Sequence, residues 1–210
     1  MAAVRRHVRI AVGLVVAVAA GAGACGVWAA TAGGAGQQNA SRVAAVQAAF
    51  RHAIEADASF GSPSAAYQAS VMAAIDAHRQ ALIVPAAEQS QLMASGMAAI
   101  ARYFGSAQAL LEQVHLTEEM ALDSNPNIIN LGSGVSHVNY LHEAVMGARA
   151  TVEADVTIWA KSEARQTTAG PWLMTDPVNV VDDRATLTLS PSGPWQVMWL
   201  TEQDVPGSGP

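Results

Sequence analysis

The chain has 210 residues, a formal net charge of -6 and a single cysteine. That length suits one domain with a sizeable core, and one thiol excludes an internal disulfide and a multi-cysteine metal site. Arg5, Arg6 and Arg9 stand near the amino terminus with no acid beside them. The eight other basic and seventeen acidic residues make a body that repels phosphate backbones, so no nucleic-acid partner is expected.

After the basic tail (residues 1–9) no charge appears until Arg42, and Ile10 to Ala30 is built from Val, Ala, Gly and Leu. A helix of that length rises ~30 Å, the thickness of the bilayer hydrocarbon. The arginines should stay cytoplasmic, which places the following body outside, and Trp28 stands where an interfacial aromatic belongs. Three fates compete. The segment is an uncleaved single-pass signal anchor, a signal peptide cleaved after the small-x-small run Ala22-Gly23-Ala24, or a lipoprotein leader in which Cys25 is the lipidated residue. Ala22 stands where a lipobox prefers a larger aliphatic. All three readings deliver the body beyond the cytoplasmic membrane.

Residues 31–40 are small and polar and suggest a flexible linker. Val43, Val46, Phe50 and Ile54 then recur at helical spacing as far as Asp57. Phe60-Gly61 ends that helix, and Ser62-Pro63 resembles an N-cap followed by proline in the first turn. A second helix carries Tyr67, Val71, Ile75, His78 and Leu82 on one face. A third starts at Pro85 and aligns Leu92, Met93, Met97, Ile100 and Phe104. Gly105 ends or kinks it, a further helix covers Ala107 to Met120, and Asn125-Pro126-Asn127 signals a turn.

Beyond Leu131 the period changes to two. Strands are predicted at Val135–Met146, Ala148–Ala164, Val178–Ser190 and Trp195–Leu200, with tight connections at Gly147 and at Ser192-Gly193-Pro194. Along the second strand Ala150, Val152, Ala154, Val156 and Ile158 share one parity, while Glu153, Asp155, Thr157 and Trp159 share the other. That pattern belongs to a strand with one face on a core and one toward water. Residues 204–210 should be disordered. Helices followed by hairpin-linked strands argue an α+β domain with helices packed on an antiparallel sheet.

The long strand Ala150–Trp159 (ATVEADVTIW), two shorter strands and a terminal strand with tryptophans resemble the NTF2-like (SnoaL-like, cystatin-like) superfamily. The likeness is greatest to membrane-tethered extracytoplasmic members such as Mce-associated membrane proteins. It covers residues 41–203 and implies helices across a strongly bent sheet that forms a cone. It further implies that any small-molecule chemistry occurs inside the cone, with a carboxylate or histidine as base and Tyr or Asp polarising a carbonyl.

Candidates for such chemistry are Tyr67, His78 and Tyr103 as pocket residues, although a core histidine bonded to a backbone carbonyl and core tyrosines explain them equally simply. His137 and His142, five apart on a strand, should face opposite sides and share no metal. His115 with Glu118 and Glu119 has ligand spacing, but a solvated helix face is the simpler account, so no metal or cofactor is expected. Asp182-Asp183 suggests a turn, and adjacent carboxylates point apart. No catalytic signature motif appears. Trp195 and Trp199 share one parity. Trp159 lies among polar residues, as tryptophan does in protein interfaces, although a curled sheet that partly buries both faces would make it a core residue. The sequence therefore predicts a non-enzymatic, membrane-tethered accessory domain of the cell envelope. The open face Glu153, Asp155, Thr157 and Trp159 would meet a protein partner or a second copy; a small-molecule binder or enzyme is the alternative.

Overall fold

A computed structural model describes residues 32–59, 64–76, 85–122, 125, 127–191 and 193–208. The apolar segment 10–30, Cys25, Trp28, Ser62-Pro63 and His78 lie outside the described residues. Among the described residues no helix is long and apolar enough to cross a membrane.

Four helices precede five strands: α1 (Ala32–Ala58), α2 (Ala65–Asp76), α3 (Ala86–Tyr103), α4 (Ser106–Leu122), β1 (Ile128–Met146), β2 (Arg149–Ala164), β3 (Leu173–Thr175), β4 (Val178–Leu189) and β5 (Trp195–Asp204). Residues 32–40 belong to α1 and are not a flexible linker. Alanine and glutamine there are good helix formers and extend the packed turns around Val46 and Phe50, although each glycine costs ~1 kcal/mol. α2 begins at Ser64, whose Oγ accepts the backbone N–H of Tyr67 at 3.2 Å. The backbone N–H of Ser64 donates to Glu88 of α3 at 2.7 Å, which ties the two helix starts together. α3 stops at Phe104, which is extended (φ -109°, ψ 144°), and α4 starts two residues later.

The strands form one open antiparallel sheet in the order β1-β2-β4-β5, with β3 paired to the far end of β2. Gly147 turns the β1–β2 hairpin with φ +58°, a conformation that strains any residue with a Cβ. β3 was not anticipated: three exposed residues show no readable alternation. The predicted disordered tail is held as far as Ser208. The hydroxyl of Ser208 accepts the Val180 N–H at 3.2 Å and lies within donating distance of Val205 O (2.7 Å) and Val180 O (3.0 Å), while Val205 N–H donates to the Val180 carbonyl at 3.0 Å. These contacts continue the β4–β5 ladder, so the backbone groups of Val180 find partners there instead of water.

One face of the sheet is covered. Val46, Phe50 and Ile54 of α1, Ile100 and Phe104, and Leu116 of α4 meet Val152, Ala154, Val156, Leu187 and Val197, all with almost no exposed surface. The even-numbered residues Ala150 to Ile158 of β2 therefore line the core, as their alternation demanded. A smaller cluster joins Tyr67 to Ile129 and Leu131.

Candidate functional site

The face away from the helices has no layer over it among the described residues. Its composition follows from the strand register, because residues directly opposite in antiparallel strands point to the same side. His142, Glu153, Arg184 and Thr201 form one row across four strands, and Asn139, Asp155, Asp182 and Gln203 form the next. Thr151, Thr186 and Trp199 make a third. A shallow groove of about 310 Å³ runs between the first and third rows. Arg184 Nη2 lies 3.1 Å from Asp182 Oδ2 and 3.1 Å from Glu153 Oε1. The hydrogen bond that Arg184 donates to Asp182, with the charges of Asp182 and Glu153, raises the pKa of the guanidinium above its ordinary value.

Bulges decide which aromatic and imidazole groups reach this face. Trp195 and Trp199 do not share a face, contrary to their common parity. On β5 Trp199 opposes Thr186 while Val197 opposes Leu187, so Met198 is an extra residue and the alternation reverses across it. Trp195 is buried and Trp199 is 48% exposed. His137 and His142 face the same side, not opposite sides. The extra residue Leu141 shifts the register so that they oppose Thr157 and Glu153 of one parity. Those partners are four residues apart on β2, roughly 13 Å, so the two imidazoles still share no ion.

Trp159 lies half-buried at the other end of the face, over Gly134. A Cβ on Gly134 would meet its indole Nε1 at 3.3 Å and Cε2 at 3.5 Å, so glycine opposite it makes room for the ring. Glu153, Asp155 and Thr157 are half-buried beside it. The four predicted face residues thus form one line along β2, extended by His142, Arg184 and Trp199 from neighbouring strands. No pattern within one strand could reveal that extension.

Of the predicted pocket residues, the two described ones, Tyr67 and Tyr103, are not brought together. Tyr67 belongs to the small cluster with Ile129 and Leu131. Tyr103 stacks on His52 with ring centroids 5.4 Å apart, and the Arg102 guanidinium lies 5.3 Å from its centroid. Among the described residues, the core side chains just described pack between helices and sheet.

Among the described residues three acids are buried, Glu112, Glu163 and Asp183, and sequence reasoning anticipated none of them. Asp183 lies within β4 and not in a turn; it points into the core while Asp182 points out. Both carboxylate oxygens of Asp183 are buried without a hydrogen-bond partner. Burial, then Glu202 and Asp182, push its pKa up to about 9, so it is neutral near pH 7. Glu112 of α4 is fully buried and clusters with Asp57 and His115, the group of side chains able to hold a metal. The signal was present in the spacing Gln108, Glu112, His115, which is one helical face, but acids on such a face usually look outward.

No family model matches this chain, and no curated protein does. Among solved structures, the intermembrane space region of the chloroplast protein ARC6 is similar over 52% of this chain and 78% of its own length, with a TM-score of 0.40 and 14% identity. So distant a likeness transfers neither fold family nor function. The NTF2-like resemblance gains no support from it.

Proposed function

We propose that this protein is a membrane-tethered, extracytoplasmic accessory domain of NTF2-like type that docks a protein partner on its open sheet face. The observation that carries the reading is the uncovered groove in which the Glu153–Arg184 pair lies beside the half-exposed indole of Trp199. Tryptophan and arginine dominate the binding energy of protein interfaces, and a charged pair beside them sets orientation more than affinity. The apolar side chains packed between helices and sheet among the described residues support docking on the open face as the leading reading. The run Ile10–Ala30 with its preceding arginines supports a membrane tether.

In vivo cross-linking of the full chain tests the docking, with a photoreactive residue at Thr201 or, as a control, at Glu118 on exposed α4 surface. Mass analysis of the adducts distinguishes a second copy from another envelope protein. Discrete adducts from position 201, lost on Trp199→Ala with Arg184→Ala, are expected. Equal adducts from both positions, or none from Thr201, overturn the reading. The tether is tested separately: deletion of residues 10–30 should release the protein from the membrane fraction, and retention would refute it.

A further inference from the structure

The helical layer contains a second constellation, on the side of the core opposite the docking face. Asp57 lies in the last turn of α1. Gln108, Glu112 and His115 lie at i, i+4 and i+7 along α4, so they share one face of that helix. Glu112 is completely buried. Gln108 Nε2 donates to Glu112 Oε1 at 2.7 Å, and His115 Nδ1 lies 3.1 Å from Glu112 Oε2. Asp57 is also hydrogen-bonded to Glu112. One donor atom each from Asp57, Glu112 and His115 fall within 4.8 Å of one another.

Two features of this arrangement favour a cation. The carbonyl end of α1 adds a partial negative charge where Asp57 sits, which is the unfavourable end for an acid. The donor spacing also suits a small ion: ligands of a tetrahedral zinc ion lie about 3.4 Å apart, given bond lengths of about 2.0–2.2 Å. The 3.1 Å separation of His115 Nδ1 and Glu112 Oε2 is already close to that edge.

The geometry points to a divalent transition-metal site of the zinc type formed by Asp57, Glu112 and His115. The mixed set of one imidazole and two carboxylates suits Zn²⁺ better than Mg²⁺ or Ca²⁺, which favour oxygen ligands alone. Gln108 holds Glu112 from behind, as an outer partner that fixes the orientation of a ligand. The His115 side chain keeps 21% of its surface exposed, so an ion can enter from solvent and a water molecule can complete its coordination. An ion there would clamp the end of α1 to α4. Since α1 begins at Ala32, immediately after the apolar run, the clamp would brace the helix that joins the body to its tether. This site stands or falls independently of docking on the sheet.

Titration of the full chain in detergent with Zn²⁺, followed by calorimetry and competition with a chromophoric chelator, tests the inference. One equivalent is expected to bind, and to raise the thermal midpoint until that equivalent is reached. His115→Ala and Asp57→Asn should each weaken binding by at least about 100-fold, while His142→Ala on the sheet leaves it unchanged. Both substituted ligands are partly exposed, so the folded variants can be checked by circular dichroism. Co²⁺ should give the visible bands of a low-coordinate nitrogen–oxygen site in the wild type and lose them in His115→Ala. Zn²⁺ affinity equal in wild type and His115→Ala overturns the inference, as does a His142→Ala variant that loses binding.

Discussion

Asp183 shows how far a single side chain can depart from its surface chemistry. Its carboxyl is buried with no hydrogen-bond partner, and its pKa rises from 3.8 to about 9. The unfolded chain releases that proton near pH 4, whereas the folded protein keeps it until about pH 9. The native state therefore binds the extra proton across this window, and stability falls as pH rises through it, by up to ~1.4 kcal/mol per pH unit. Asp183→Asn removes the titration, so its stability relative to wild type should increase from pH 5 to pH 9. Urea unfolding at several pH values measures this, and parallel pH profiles would contradict the assignment. The sequence hid Asp183 because it adjoins Asp182, and two neighbouring acids ordinarily mark a turn. Only the pairing of β4 with β2 and β5 shows that one of them faces the core.

At the scale of the element, turns and bulges govern which residues meet. Gly147 closes the β1–β2 hairpin in the left-handed region. Gly147→Val should cost about 1–2 kcal/mol, since a β-branched side chain is disfavoured there, and Gly147→Asn less. Urea midpoints of the two variants check the order. Ser208 accepts the backbone N–H of Val180, while Val205 N–H serves the Val180 carbonyl. Ser208→Ala should therefore cost roughly 1 kcal/mol, where a disordered tail would cost nothing. Strand positions were largely legible, because alternation over a long half-buried strand has one interpretation. The faces of β1 and β5 were not. One bulged residue reverses every assignment beyond it, and nothing in the local pattern marks Leu141 or Met198 as extra.

Across the whole molecule, helices and sheet share one principal core, in which Phe50 meets the Tyr140 ring edge-on at a centroid distance of 6.0 Å. Phe50→Ala should destabilise by about 3–5 kcal/mol. Because the same cluster joins both layers, far-ultraviolet circular dichroism and tryptophan fluorescence should still change at one denaturant concentration. Separate transitions would mean that α1 is not part of the cooperative unit.

The sequence by itself determined the α+β class, the helical stripes ending in Phe50, Ile54, Ile100 and Phe104, and the parity of β2, since each rests on periodicity between near neighbours. Tertiary structure alone decided that Arg184 and Trp199 join Glu153 on one face, that Trp195 is buried, and that Asp57 reaches Glu112 and His115. Those outcomes depend on register shifts and on the meeting of chain segments far apart in sequence, where local physical preferences give no direction.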